Sequence, residues 1–206
     1  MGTGAKEKPV GKNAGWKFIE SRTRFQNEIF RVREDEVDLV GGKRIQYAYA
    51  ERPAAVVIVP VTSDGRMVLV KQYRYAVDDW CLEVPAGGTH DTGQTPLEEV
   101  ARKELREEIG ATARSLSHVG FFYTAPALSD EKCHVFLAEG VEISEERDHE
   151  ATETIETEIV SVAKALDLAR SGAMKTAPCA LAVLLCEPRL TLSAQHHPTP
   201  DRLLET

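Results

Sequence analysis

Residues 82–111, LEVPAGGTHDTGQTPLEEVARKELREEIGA, constrain the chain more than any other stretch. A short apolar run leads through a glycine-rich loop into a charged segment with helical periodicity. Thr95 is placed to cap the helix, Pro96 suits its first turn, and Glu98 stands three residues after Thr95 as in a capping box. Gly110 ends it. On a helical wheel counted from Leu97, Val100, Ala101, Leu105 and Ile109 form one stripe, at roughly 300°, 40°, 80° and 120°. Glu104 and Glu108 fall inside that stripe, at roughly 340° and 20°, and Glu107 borders it.

A solvated acidic helix accounts for the outer face, where Glu99–Lys103 and Lys103–Glu107 have ion-pair spacing. It does not account for two carboxylates one turn apart on the core-facing side. Ionised carboxylates are costly to remove from water unless they are paired or bind a metal. Converging carboxylates suit hard cations such as Mg²⁺ or Mn²⁺, which prefer oxygen ligands and share them with substrate phosphates.

The segment resembles the signature of the Nudix hydrolases, and among them the ADP-ribose pyrophosphatases: a glycine-rich loop, then a helix that stands here as Lys103-Glu104-Leu105-Arg106-Glu107-Glu108-Ile109-Gly110. The approach Glu83-Val84-Pro85-Ala86-Gly87 is typical of that subgroup. So are Pro126, fifteen residues after Ala111, and Ser129-Asp130-Glu131. Lys103 replaces the family's arginine, Gln94 stands where a glutamate is usual, and the loop from Gly87 to Glu104 is longer than the family's. Lysine keeps the charge of that position but lacks the planar fork that orients carboxylates.

The resemblance implies Mg²⁺-dependent hydrolysis of a nucleoside diphosphate conjugate, with ADP-ribose split to AMP and ribose 5-phosphate. Glu104 and Glu108 would hold metal, assisted by Glu107 and the Ala86 carbonyl. Arg74 would face the substrate's phosphates, Phe30 and Tyr47 would stack on adenine, and Arg52 lies near them in the pattern. A loop glutamate before the strand at Ile155 would be the general base, Glu153 first and Glu150 second. The related enzymes exchange N-terminal strands across a homodimer, so a homodimer is implied as well. Two other readings are open. One is hydrolysis of a different nucleotide sugar, since the motif reports the diphosphate and not the group beyond it. The other is a catalytically silent Nudix module that senses ADP-ribose, which the Lys103, Gln94 and loop departures favour and the retained glutamates oppose.

The remaining chain is consistent with this frame. With 206 residues it holds one large domain or a domain with an appended segment. The net charge of −8 opposes nucleic acid or an anionic membrane as partner, because both need a basic face. Cys81, Cys133, Cys179 and Cys186 form no CxxC pair, as expected of reduced thiols in a cytoplasmic protein. No signal peptide is evident at the N-terminus. The longest apolar run, Cys179–Cys186, has eight residues, against about 20 for a membrane span.

Strands are expected at 18–24, 27–35 and 45–50, with Gly41-Gly42 as a hairpin turn. The continuous apolar run 54–61 predicts a strand covered on both faces, paired through Ser63-Asp64-Gly65 with 67–73. Further strands are expected at 80–84, 117–123, 132–138 and 155–162, and helices at 162–171 and 177–186. Strands interleaved with helices give an α/β domain, a mixed sheet with helices on both faces. The resemblance sharpens this to a Nudix-type α/β/α sandwich preceded by a small N-terminal antiparallel β unit. The expected organisation is a disordered tail over 1–15, the N-terminal dimerisation unit over 16–52, the hydrolase domain over 53–192 and a second tail over 193–206.

Overall fold

The computed structural model describes residues 11–90, 92–144 and 155–196. The chain divides into two compact units. One runs up to Pro53 and includes Ala125–Glu131; the other comprises Ala54–Thr124 and the chain from Lys132 onward.

The first unit is a three-stranded antiparallel sheet in the order β1 (Lys17–Gln26), β2 (Arg31–Asp38), β3 (Arg44–Glu51). Gly41 and Gly42 make the β2–β3 turn at φ 97° and 85°, a left-handed backbone that glycine adopts without steric cost. The strand expected from Asn27 begins only at Arg31. The reason is local: Asn27 Oδ1 accepts the N–H groups of Ile29 (2.9 Å) and Phe30 (2.8 Å), which closes a turn before the strand can start. The Ser129-Asp130-Glu131 loop docks on the end of β3. Ala50 N–H donates to the Leu128 carbonyl at 2.7 Å, and Arg52 N–H to Asp130 Oδ1 at 2.8 Å.

The second unit contains β4 (Ala55–Thr62), β5 (Arg66–Arg74), β6 (Asp79–Glu83), β7 (Ala86–Gly88), α1 (Leu97–Ile109), β8 (Ala111–Tyr123), β9 (Lys132–Ile143), β10 (Ile155–Ser161), α2 (Val162–Ser171) and α3 (Ala177–His196). The sheet runs β10-β5-β4-β9-β8, with β6 on β5 and β7 on β4. Only β4 and β9 pair in parallel, so the sheet is mixed. The β4–β5 hairpin forms as expected but stays closed only at Val61–Met67. Beyond that pair the strands diverge, β7 lines β4 and β6 lines β5, and the Pro85 carbonyl accepts the Ile58 N–H at 2.8 Å. The glycine-rich loop therefore starts inside the opened hairpin.

The apolar run in β4 is buried on both faces, as its continuity predicts. Val56 and Ile58 pack in one core with Val100, Leu105 and Ile109 of α1. Val57 and Val59 pack in a second core with Leu166, Ala182 and Val183 of α2 and α3. Each fully buried side chain of this kind contributes roughly 1.5–3 kcal/mol of transfer free energy. The result is an α/β/α sandwich with α1 on one face of the sheet and α2 and α3 on the other.

Three local expectations change. Thr95 does not cap α1: its hydroxyl donates to the Thr92 carbonyl at 2.6 Å, and Pro96 occupies the cap position without a side-chain bond. β8 starts at Ala111, immediately after the left-handed Gly110, because Ser144 closes the end of that pairing by donating N–H and hydroxyl to the Gly110 carbonyl. α3 runs on through Pro188 to His196. A proline inside a helix costs about 3 kcal/mol in a solvated one, but Cys186 and Leu190 on either side of it are buried and hold this turn in place. Among the described residues no helix is long and apolar enough to cross a membrane.

Candidate active site

The opened β4–β5 hairpin brings the glycine-rich loop against α1. Glu108, in the last turn of the helix, is 3% exposed, and its two carboxylate oxygens lie 3.4 and 3.3 Å from the Ala86 N–H. These are long for charge-assisted bonds, which are usually about 2.7–2.9 Å. Glu104, one turn earlier, lies against Gly87. A Cβ built on residue 87 would collide with the Glu104 carboxylate, so only glycine permits this approach. Glu107 is half-buried on the outer side and pairs with Lys103 at 3.3 Å. Arg102 ties the helix down through Glu98 (3.0 Å) and the Ala113 carbonyl (3.2 Å).

The carboxylates of Glu104 and Glu108 thus line one cradle with the backbone of Gly87 and the Ala86 N–H. Among the described residues no three His, Cys, Asp or Glu side chains converge closely enough to enclose a metal by themselves. That donor set fits Mg²⁺, which takes one or two carboxylates, keeps several waters and shares substrate phosphate oxygens, rather than an ion needing an all-protein cage.

Arg74 ends β5 and pairs with Glu83 of β6. Its Nε donates to Glu83 Oε1 at 2.9 Å and its Nη2 to Glu83 Oε2. Glu83 is 1% exposed and also accepts the Thr176 hydroxyl at 2.7 Å. These hydrogen bonds to Glu83 hold the Arg74 guanidinium still more firmly charged, against the opposing effect of its burial. The neighbouring Cys179 thiol donates to the Val84 carbonyl. Burial, and then the charge on Glu83, push its pKa well up, so it is an inert thiol. Sequence reasoning passed over Glu83 and Thr176 as site residues. The available signal was a glutamate between Leu82 and Val84 in an otherwise apolar run.

Phe30, Tyr47 and Arg52 belong to the N-terminal unit. Phe30 packs on Phe25 at 5.6 Å between ring centroids, while Tyr47 stands between Trp16 (6.4 Å) and Tyr49 (6.3 Å). The two rings therefore have different aromatic neighbours. Arg52 Nε lies 3.2 Å from Glu131 Oε1. Glu150 and Glu153 lie outside the described residues.

Comparison with known proteins agrees with this geometry. The family model described as NUDIX domain matches residues 51–178. The ADP-ribose pyrophosphatase of Bacillus subtilis (strain 168) is 34% identical over 180 residues, covering 87% of this chain and 96% of that protein. The CMP-5'-(N-acetyl-N-hydroxy-3-aminopropyl)phosphonate hydrolase of Streptomyces rubellomurinus is 28% identical over 82% of this chain and 81% of its own length. A crystal structure of an ADP compounds hydrolase superposes with a TM-score of 0.75 at 23% identity, covering 87% of this chain and 96% of that one, a likeness of fold. The domain match spans most of the chain and coincides with the cradle built by Ala86, Gly87, Glu104 and Glu108, and the chain belongs to the Nudix family.

Proposed function

We propose that this protein is a divalent-metal-dependent pyrophosphatase that cleaves the diphosphate of ADP-ribose to give AMP and ribose 5-phosphate. The observation that carries the reading is the pair Glu104 and Glu108 on the core-facing side of α1, one against Gly87 and the other against the Ala86 N–H. With the Ala86 carbonyl, and with Glu107 assisting, these residues would hold Mg²⁺ or Mn²⁺. Bound there, the cation would neutralise diphosphate charge and make water a better nucleophile. Arg74, charged and half-exposed, binds the phosphates. Phe30 and Tyr47 stack on the adenine, with Arg52 beside them. Glu153, or Glu150 after it, takes the proton from the attacking water.

The protein works as a homodimer through its N-terminal strands and acts in the cytoplasm, without nucleic acid or membrane. Free cysteines support a reducing compartment: Cys81, Cys133, Cys179 and Cys186 are all buried thiols. Light scattering at micromolar concentration checks the dimer, and a monomer there would remove that part of the reading.

A second reading, hydrolysis of another nucleotide conjugate, is favoured by the Streptomyces relative, a protein named as the hydrolase of a CMP conjugate. Release of phosphate from a panel of nucleoside diphosphate conjugates, with Mg²⁺ and an added phosphomonoesterase, separates the readings. Turnover of ADP-ribose above the rest supports the first. Preference for another conjugate supports the second. Thermal stabilisation by ADP-ribose without turnover would show a sensor and contradict both.

A further inference from the structure

We infer that Glu83 and Thr176 are positioning residues that fix the plane of the Arg74 guanidinium toward the substrate's phosphates, an inference that rests on the phosphate-binding reading of Arg74. A carboxylate that is 1% exposed is costly unless its lone pairs are satisfied, and both oxygens of Glu83 are used. Oε1 accepts Arg74 Nε (2.9 Å) and the Thr176 hydroxyl (2.7 Å), while Oε2 accepts Arg74 Nη2. Two parallel N–H···O bonds set the guanidinium plane as a single bond or a lysine could not. Beyond this fork the guanidinium retains three of its five N–H donors for a ligand.

Thr176 supplies the rigidity. The Thr176 carbonyl accepts the N–H groups of Cys179 and Ala180, both at 3.1 Å, so the residue is locked to the first turn of α3. Its neighbours hold the same stretch: Lys175 pairs with Asp79 of β6, and Cys179 donates its thiol to the carbonyl of Val84, the residue after that strand. The start of α3 therefore grips β6 at both ends, and its one hydroxyl bond to Glu83 prevents the carboxylate from rotating and carrying Arg74 with it. A partly exposed ion pair alone is worth little to stability. Placing a phosphate-binding arginine in a fixed orientation is worth much more to a reaction.

The test uses full-length protein and the variants Thr176→Val, Thr176→Ser, Glu83→Asp, Arg74→Ala and Thr176→Val with Arg74→Ala. Kinetics are measured with ADP-ribose and Mg²⁺, and the Arg74 Nε–H resonance is followed by ¹⁵N NMR without substrate. Thr176→Val is expected to lower kcat/KM about tenfold, the loss of one hydrogen bond to a charged group, with Thr176→Ser close to the parent. Glu83→Asp keeps the charge but withdraws the carboxylate, and is expected to lose at least as much. The Arg74 Nε–H signal should lose its protection from exchange in Thr176→Val and Glu83→Asp. In the Arg74→Ala background Thr176→Val should cost nothing further.

Losses that add in the double variant, or an Arg74 Nε–H signal unmoved by Thr176→Val and Glu83→Asp, would overturn the positioning role while leaving the hydrolase reading standing. Full activity in Arg74→Ala would instead remove the phosphate-binding reading and the inference with it. The NMR signal reads the Glu83–Thr176 hold on Arg74 even in a protein that leaves ADP-ribose intact.

Discussion

Gly87 lies directly beneath the carboxylate of Glu104, with no room for a side chain between them. A methyl group at residue 87 must displace the end of a flexible glutamate and not the backbone, so Gly87→Ala should fold. Its melting temperature is expected within a few degrees of the parent, the shift of about 1 kcal/mol or less in a domain of this size. Because the displaced group is the proposed metal-facing carboxylate, kcat/KM is expected to fall by about 10²-fold, as for a misplacement of about 1 Å at a reacting centre. Steady-state kinetics and calorimetry on the same sample check this. Retained activity would show that the contact between Gly87 and Glu104 has no catalytic consequence.

The acidic segment before β10 supplies the proposed base, and exchange of either Glu153 or Glu150 for Gln addresses it. Loss of general base catalysis is worth roughly 10²–10⁴ in rate. We expect Glu153→Gln to fall in that range, with its pH–rate profile losing the acidic limb. If both variants stay within about twofold of the parent, the base lies elsewhere, and Glu107 and Glu131 become the residues to test.

His134 and His118 meet across β8 and β9, with His118 Nε2 3.2 Å from His134 Nδ1. Burial first, then the nearness of His118 and Lys132, lowers the His134 pKa below its ordinary value of 6.5. The folded protein therefore binds this proton less readily than the unfolded chain. The contribution is favourable above about 6.5 and is lost as pH falls through the depressed folded-state value. Melting temperature should drop between pH 7 and pH 5, and His134→Gln should flatten that part of the curve. Acid losses from Asp38, Asp64 and Asp79 come lower, since their partners hold those carboxyls below 3.8. An unchanged slope in His134→Gln would show that the pair does not govern stability in this range.

The layering of the fold was legible because it follows from burial. Residues 54–61 are apolar without alternation, which only a strand covered on both faces explains, and β4 is that strand. α2 appears where 162–171 was expected, capped by Ser161 and ended by Gly172 at φ 77°. In the site, the helical wheel placed Glu108 on the core side, and it is buried there. The Arg74–Glu83 pair was not legible. It depends on the β5–β6 register, in which Arg74 opposes Asp79 and Val70 opposes Glu83, and that register is set by the single 3₁₀ turn Tyr75–Val77. Thr176 was further out of reach, because it meets Glu83 across 93 residues of sequence through a tertiary contact that no local pattern encodes. The misplaced cap has a similar origin: the Thr95 hydroxyl found the Thr92 carbonyl within the loop instead of the helix N-terminus.

Glu108, buried beside the Ala86 N–H, is the residue on which the proposed metal dependence rests. Glu108→Gln, followed by kcat and by melting temperature with and without Mg²⁺, tests it most directly. The amide keeps the size of the side chain and, being neutral, costs less to bury than a carboxylate, so the fold should survive. Turnover should collapse by more than about 10²-fold, and Mg²⁺ should no longer raise the melting temperature. An ordinary surface substitution would change stability by no more than about 0.5 kcal/mol and leave turnover alone. A Glu108→Gln protein with normal turnover and an undiminished Mg²⁺ response would contradict the metal site and the function built on it.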